Sequence, residues 1–143
     1  MSAPDLMPIN PATARCTHSG VMTSNSPSYD ALTRDISGQL ALLRSDLPAF
    51  MKGFGDLSKA SLAAGALSEK TKELIALALG VAAHCEGCLG FHAKALVRLG
   101  ATKAEVEETL AVAVYMGGGP SLMYSAHAMT AFAEFTKASE IRR

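Results

Sequence analysis

Apolar residues recur at intervals of three and four along most of the chain, and this spacing restricts the fold to packed α-helices. The first clear stripe consists of Leu32, Ile36, Leu40, Leu43 and Leu47. Pro48 follows this stripe and should end its helix, because proline cannot continue the helical hydrogen-bond ladder. No segment alternates apolar and polar residues as a half-buried strand would. The sequence therefore predicts an all-α fold.

Helix-capping residues mark where the later helices should begin and end. Ser68 is placed as the N-cap of a helix that is apolar on nearly every side and is therefore expected to be buried. Thr102 and Glu105 form a Thr-x-x-Glu capping box after Gly100, a residue type favoured just past a helix C-terminus. The glycines at 117–119 should break that helix, and Pro120 suits the first turn of the last one.

The stretch between residues 49 and 65 is the least regular part of the helical region. It contains Gly53, Gly55 and Gly65 around two short apolar clusters. Since glycine disfavours a helix interior, we expect short helices or turns in this stretch and not one long helix.

Chain length and composition predict one domain preceded by an arm. A chain of 143 residues can bury one sizeable core. Residues 1–27 hold four of the six prolines and many serines and threonines, so we expect a flexible N-terminal arm, with Cys16 in it as a lone thiol. Residues 28–143 form the expected domain. Its Ala-rich apolar helices would leave much apolar surface on a monomer, which predicts a homo-oligomer.

Charge and hydropathy argue against several classes of partner. Thirteen basic residues balance thirteen acidic ones, so we expect no binding to nucleic acid. No apolar run reaches membrane-spanning length and the first residues lack a secretory pattern, so we expect no membrane association and a cytoplasmic location. Three cysteines are too few for a secreted disulfide framework, and a close pair in a cytoplasmic chain indicates metal binding or redox chemistry.

The close pair is the Cys-x-x-Cys motif formed by Cys85 and Cys88, which His92 follows four residues later. On a helix, these intervals of three and four place both sulfurs and the imidazole on one face. Cysteines at this spacing can form a disulfide, and a helix N-terminus stabilises a thiolate. A nearby histidine can accept or relay a proton at neutral pH. The arrangement favours a dithiol redox site.

Glu73 lies in the apolar helix before the pair, where an unpaired charge would be costly. A buried carboxylate is a candidate base for a cysteine thiol. On one unbroken helix, however, the twelve residues from Glu73 to Cys85 would span about 18 Å. The two could act together only if the chain reverses or another subunit helps.

Other interpretations of these residues stay open at this stage. A structural zinc site could use both cysteines and His92 with either His84 or Glu73, although such sites usually draw ligand pairs from separate segments. The cysteines could also be inert core residues. His84 and His127 could each line a pocket, but histidines in such positions are more often solvated or structural.

The ordered set of Glu73, Cys85, Cys88 and His92 resembles the AhpD-like alkylhydroperoxidases of the carboxymuconolactone decarboxylase family. The resemblance covers roughly residues 29–135 and includes the later segment MGGGP at 116–120. It implies an AhpD-like helical bundle that assembles into trimers or hexamers and reduces hydroperoxides with its dithiol. The implied reductant is a lipoylated or thioredoxin-like protein, and no cofactor is implied.

The resemblance also implies a role for each site residue. Cys88 would be the peroxidatic thiolate, Cys85 the resolving thiol, and Glu73 with His92 the proton relay. The dipole of a helix would instead make Cys85, nearer its start, the more acidic cysteine. AhpD has a histidine before its second cysteine, where this chain has Gly87.

Two other activities remain as alternatives to a thiol-dependent peroxidase. The same pair could serve a protein disulfide reductase, redox relay or sensor. A lactone decarboxylase is the other alternative, although decarboxylases of the broader family generally lack this cysteine pair.

Overall fold

The computed structural model describes residues 28–142 and shows five helices, with no strand in that range. The helices are α1 (Tyr29–Asp46), α2 (Pro48–Leu62), α3 (Glu69–Ala82), α4 (Glu86–Arg98) and α5 (Lys103–Ile141). The predicted all-α fold is confirmed. The predicted N-terminal arm and Cys16 lie outside the described residues.

The core lies where α3, α4 and α5 pack together. Its largest fully buried apolar side chains come from these three helices and are Leu77, Val81, Leu89, Leu96 and Val106. Phe132 and Phe135 of α5 complete this core, while α1 adds Tyr29 at its edge. The turn that carries Cys85 and Cys88, between α3 and α4, is thus held against the best-packed part of the described chain.

The predicted caps are present. The Ser68 hydroxyl accepts a hydrogen bond from the Thr71 N–H at 3.1 Å, and both halves of the capping box between Thr102 and Glu105 are formed. Gly100 adopts a φ of 70° after the end of α4, a conformation that glycine reaches without steric cost. Local sequence therefore set these boundaries correctly.

The expectation of short helices or turns between residues 49 and 65 was wrong over most of that stretch. α2 is a continuous 15-residue helix that runs through both Gly53 and Gly55. Its first turn begins with Pro48, and the Lys52 ammonium pairs with the Asp56 carboxylate at 2.6 Å one turn later. A helical glycine costs about 1 kcal/mol relative to alanine, which is too little to break a helix with other support.

The extent of burial also differs from the expectation for α3. Leu77 and Val81 are fully buried, but Ile75 and Leu79 leave 46% and 64% of their surface exposed in the single chain. α1 is similar, because Leu40, Leu43 and Leu47 of its predicted stripe are exposed. The helices form as predicted, whereas part of their apolar surface does not enter this chain's core.

The glycine run changes the direction of α5 without ending it. Gly118 has φ 69° and ψ −156°, a backbone region that is essentially restricted to glycine, and two helical parts meet there. Pro120 lies in the first turn of the second part, where its missing N–H costs little. The predicted break is therefore a kink within α5.

Among the described helices, none combines the length and the apolar character that crossing a membrane would require.

Candidate active site

The reversal between α3 and α4 brings the cysteine pair back against α3. The Cys85 N–H donates to the Gly80 carbonyl at 3.0 Å, and the His84 N–H donates to the Val81 carbonyl at 3.1 Å. These two bonds form a Schellman motif, in which His84 takes the left-handed position with φ 54°. The chain reversal that a relay from Glu73 requires is therefore present within one subunit.

Cys85 and Cys88 form a disulfide at the start of α4, with their Cα atoms 5.2 Å apart. Cys85 is the N-cap of the helix, and its Sγ accepts a hydrogen bond from the Cys88 N–H at 3.2 Å. Both cysteines are half-buried. The helix N-terminus thus acts most directly on the Cys85 sulfur, as the dipole argument expected.

Glu73 and His92 form a close pair between α3 and α4. The His92 Nδ1 and the Glu73 Oε2 lie 2.6 Å apart, and the Glu73 side chain is only 5% exposed. With Glu73 ionised, the Nδ1–H donates to the carboxylate and leaves Nε2 as the nitrogen that can accept another proton. The burial predicted for Glu73 is found, and the imidazole satisfies its charge.

His92 also lies one helical turn after Cys88. Side chains on a helix lean toward its N-terminus, so residues four apart stack on one face. Gly80 of α3 faces the same turn, because a Cβ built on it would lie 3.2 Å from the Cys88 Cβ. Cys88 is therefore the cysteine that packs against α3 and shares a face of α4 with His92.

α1 packs beside residue 87 and fills the space that a side chain there would need. A Cβ built on Gly87 would lie 2.8 Å from the Ile36 Cδ1, which is closer than real Cβ contacts. The histidine that AhpD carries here would need Ile36 to move. Gly87 is thus part of the contact between α1 and the cysteine turn.

A second polar group surrounds Glu86, which sequence reasoning did not single out. The Glu86 Oε1 lies 2.6 Å from the His127 Nδ1 of α5, and its Oε2 accepts a hydrogen bond from the Tyr29 hydroxyl of α1 at 2.5 Å. The His84 ring stacks on the Tyr124 ring with centroids 4.5 Å apart. His127 and His84 therefore have structural partners beside the cysteines. A carboxylate between the two cysteines was the only sequence signal for this group.

These contacts change the acidity of both partners. Burial raises the pKa of the Tyr29 hydroxyl well above its ordinary value, and the neighbouring Glu86 carboxylate raises it further. Partial burial acts to raise the pKa of Glu86, but the hydrogen bonds from Tyr29 and His127 outweigh it and the pKa is lowered. Glu86 is therefore an anion held by two donors.

A groove of about 550 Å³ lies between α2 and the α3–α4 pair. Phe54 and Leu62 of α2 give it apolar walls, and the Arg98 guanidinium lies at its edge, bound to Glu69 at 2.7 Å. Glu73 is among the residues that line this groove.

The zinc interpretation gains no support from this geometry. Within residues 28–142, no three or more His, Cys, Asp or Glu side chains are gathered so that they could hold a metal ion. The thiolate ligands that zinc prefers are also tied up in the disulfide between Cys85 and Cys88.

Comparison with known proteins places the chain in a family. The carboxymuconolactone decarboxylase family model matches residues 48–131, which is more than half of the chain. The crystal structure of an apo carboxymuconolactone decarboxylase family protein from Legionella pneumophila is similar, with a TM-score of 0.75 and 56% identity, covering 76% of this chain and 96% of that one.

Two curated relatives are uncharacterised proteins. One, from Cupriavidus necator, is 39% identical over 98 residues, covering 68% of this chain and 87% of the relative. The other, protein 4 of the cox locus of Paracoccus denitrificans, is 36% identical over 78 residues, covering 54% and 70% respectively. The five-helix fold with a Cys-x-x-Cys turn defines an AhpD-like protein. The chain belongs to the carboxymuconolactone decarboxylase family.

Proposed function

We propose that this protein is a thiol-dependent peroxidase, which reduces organic hydroperoxides with the Cys85–Cys88 dithiol. The observation that carries the proposal is the 2.6 Å pair of Glu73 and His92, which is buried one turn from Cys88. A buried carboxylate that orients an imidazole next to a thiol is a common means of activating a nucleophile. The disulfide is the expected product of the oxidative half of such a cycle.

The cycle balances with a hydroperoxide and a dithiol reductant. The Cys88 thiolate attacks the outer oxygen of the hydroperoxide, the O–O bond breaks, and the alkoxide takes a proton to leave as an alcohol. The Cys85 thiol then attacks the Cys88 sulfenic acid, and water leaves as the disulfide forms. An external dithiol reduces this disulfide by two thiol–disulfide exchanges and is itself oxidised to a disulfide.

Glu73 and His92 would hold the proton that this cycle moves. The imidazole Nε2 takes the proton from the Cys88 thiol and returns it to the alkoxide, while Glu73 holds the other ring nitrogen and stabilises the imidazolium. Cys85 has its own stabilisation from the Cys88 N–H. Each cysteine thus has a different source of thiolate stability, which fits one attacker and one resolver.

A disulfide reductase or redox relay is the second candidate, and Gly87 favours it. AhpD has a histidine at this point, whereas here Ile36 fills the space beside the glycine. A protein that only exchanges disulfides has less need of that proton donor. Lactone decarboxylation is the activity in the family's name, and a site built around two joined cysteines supports it least.

The partners follow from this chemistry and are part of the proposal. A lipoylated or thioredoxin-like protein would supply the dithiol, and the cytoplasm is the compartment in which such reductants keep thiols reduced. We also propose a homo-oligomer, a trimer or hexamer. The exposed apolar side chains of α2, α3 and α5 support it.

The direct test follows the loss of cumene hydroperoxide or tert-butyl hydroperoxide with a dithiol reductant. Cys88→Ser should reduce turnover to the background rate, and Glu73→Gln should slow it by about 10²-fold or more, the usual contribution of a positioned acid or base. Glu107→Gln is the matched control, because Glu107 is half-exposed and, within residues 28–142, its ion pair is with Lys103 on its own helix. Its turnover should equal that of the wild type.

The outcomes separate the candidates. Turnover that survives Cys88→Ser would refute the peroxidase mechanism. A wild type without turnover, whose disulfide a dithiol readily reduces, would favour the disulfide reductase or relay.

Trapping of the sulfenic acid tests which cysteine attacks. After one equivalent of hydroperoxide, Cys85→Ser should retain a sulfenic acid on Cys88, because its resolving thiol is missing. Cys85→Ser and Cys88→Ser should each also carry Cys16→Ser, so that only one thiol remains in each protein. A sulfenic acid found only in Cys88→Ser would reverse the assignment.

A further inference from the structure

Two carboxylate–imidazole pairs include residues of α4, the helix that carries the disulfide at its start, and the proposed function uses one of them. In each pair a histidine Nδ1 lies 2.6 Å from a glutamate oxygen. The Glu73–His92 pair is largely buried. The side chains of Glu86 and His127 are 38% and 54% exposed, so this second pair faces solvent.

The second pair is attached directly to the first cysteine. Glu86 follows Cys85 in the chain and is the first residue of α4. Its carboxylate is held by Tyr29 from α1 and by His127 from α5, so three helices meet at the residue that follows Cys85 in the chain. Such fixed geometry is unusual for a glutamate that is more than a third exposed, since solvent normally competes for its oxygens.

A carboxylate at this place opposes the release of a thiolate. The N-terminus of α4 favours negative charge on Cys85, whereas the neighbouring anion disfavours it. The two donors reduce that repulsion by binding both carboxylate oxygens and by keeping the group at the sides of α1 and α5. Removing a donor should therefore strengthen the repulsion, and neutralising Glu86 should abolish it.

The charged and titratable groups around Glu86 are few. Tyr29 faces it from α1 and His127 from α5. The Glu134 carboxylate of α5 accepts a hydrogen bond from the Tyr29 N–H at 2.9 Å, and Glu134 and Tyr124 both raise the pKa of the Tyr29 hydroxyl. The His84 ring packs on Tyr124. The His127 ring lies tilted against that same tyrosine, with centroids 5.4 Å apart. This packing fixes the imidazole that holds Glu86.

We propose that Glu86 and His127 are a positioning pair that sets how readily Cys85 leaves as a thiolate during reduction of the disulfide. The inference builds on the proposed dithiol chemistry and concerns its reductive half. Cys88 has the buried pair for the reaction with peroxide, and Cys85 has the exposed pair for the reaction with the reductant.

The step in question is the second exchange with the dithiol reductant. A reductant thiolate first attacks the Cys85 sulfur, the S–S bond breaks, and Cys88 leaves with the electron pair. The second reductant thiolate then attacks the reductant sulfur of the mixed disulfide. Cys85 leaves as a thiolate and is protonated from solvent, and the oxidised reductant departs as a disulfide. The charge held on Glu86 bears directly on this leaving group.

The test measures the pKa of the Cys85 thiol from the thiolate absorbance in a Cys16→Ser, Cys88→Ser background. Glu86→Gln should lower this pKa by roughly half a unit to one unit, because it removes the neighbouring anion. His127→Leu and Tyr29→Phe should raise it, because each frees the carboxylate. His127→Gln retains an N–H donor and should restore part of the wild-type value. Glu107→Gln should leave the value unchanged.

The double variant Glu86→Gln, His127→Leu should behave like Glu86→Gln alone, because His127 acts only through the carboxylate. Shifts of opposite sign are the signature, since a merely structural role would change the stability of the variants and move the thiol pKa in no set direction. Equal pKa values in all folded variants, or shifts of one sign, would overturn the proposal. Circular dichroism identifies any variant that does not fold, and Glu86→Gln, Tyr29→Phe and His127→Gln are conservative enough to carry the test.

The measurement stands apart from the peroxidase assay. Opposite shifts in a protein that reduces no hydroperoxide would support the positioning pair and refute the peroxidase. Peroxide turnover together with an unshifted pKa of the Cys85 thiol in the variants would support the peroxidase and refute the positioning pair.

Discussion

Gly87 is the residue at which this chain departs from AhpD, and the structure shows what lies there. The Ile36 Cδ1 of α1 would lie 2.8 Å from a Cβ on residue 87. The contact is with the end of a flexible side chain, so a smaller residue at 36 would open the space. In this chain, Ile36 of α1 therefore occupies the space that a side chain at residue 87 would need.

Restoring a histidine at this position should increase peroxide turnover. We expect Gly87→His combined with Ile36→Ala to react about tenfold faster than the wild type, which is below the full effect of a positioned general base. Hydroperoxide consumption with a dithiol reductant measures it, and Ile36→Ala alone is the control. No gain, in a double variant that folds, would show that the histidine has no role in this site.

His84 shows a different constraint on a single residue. Its φ of 54° is the conformation that glycine usually supplies at the end of a helix. A non-glycine residue there costs about 1 kcal/mol, and the stacking of its ring on Tyr124 offsets some of that cost. The backbone conformation of His84 and the packing of its side chain therefore both hold the turn that places Cys85.

At the level of elements, the packing of α1 against α4 depends on the glycine at position 90. A Cβ on Gly90 would lie 2.6 Å from the Thr33 Cγ2. Thr33 is buried and its hydroxyl donates to the Tyr29 carbonyl at 2.8 Å, so its side chain cannot easily turn away. α1 also carries Tyr29 to Glu86. Close packing at Gly90 thus supports the second polar group.

Gly90→Ala should destabilise the fold by about 1–3 kcal/mol, the usual cost of overpacking. Denaturant unfolding measures the loss. Gly38→Ala is the matched control on α1, because nothing lies within 4 Å of a Cβ there, and it should stabilise by about 0.5–1 kcal/mol. Thr33→Ser removes the colliding methyl group and should recover much of the stability of Gly90→Ala. A Gly90→Ala variant as stable as the wild type would contradict the close packing of α1 against α4.

A salt bridge joins the start of α5 to α3, and its contribution to the stability of the fold depends on pH. The Lys70 ammonium bonds to Glu105 at 2.7 Å, and the Thr102 N–H donates to the same carboxylate. These bonds lower the pKa of Glu105 from 4.5 to about 2. A lowered pKa in the folded state stabilises the protein above the unfolded pKa, and this stability is lost as the pH falls toward the folded value.

Glu105→Gln should therefore be less stable than the wild type at neutral pH. The difference in the free energy of unfolding should shrink as the pH falls from 4.5 to about 2, where the wild-type carboxyl becomes protonated. Denaturant unfolding over this pH range measures it, with Glu107→Gln as the exposed control. A difference that does not change with pH would assign the effect to the cap and not to the charge.

For the whole molecule, α2 is the element that the single chain explains least. Phe50, Phe54 and Leu57 form an apolar stripe at helical spacing and are more than 60% exposed. None of the residues of α2 is buried within the described part of the chain. An isolated helix of this length is marginal in water, so a second copy of the chain that covers the stripe would account for it.

Phe54→Glu should reduce the mass of the protein in solution to that of smaller assemblies, because it places a charge in the proposed interface. Sedimentation measures the mass, and Ile141→Glu at the exposed end of α5 is the control. A wild type that sediments as a monomer would contradict the proposed homo-oligomer at once.

The sequence by itself determined most of the helices, though not α2, and most of their ends. Ser68, Thr102 with Glu105, and Gly100 act on backbone groups within a few residues, so their effect can be predicted from local spacing. The Cys-x-x-Cys pair likewise depends on an interval of three residues. The family assignment rested on such ordered intervals and was confirmed.

Only the tertiary structure decided which distant groups meet. Glu73 and His92 are 19 residues apart, and Glu86 and His127 are 41 apart. Their contacts depend on the angle at which α3, α4 and α5 pack, which the periodicity of one helix does not contain. The exposure of α2 and α3 is decided in the same way. The spacing of apolar residues predicts that a helix face will be buried, and only the packing of the helices determines which surface buries it.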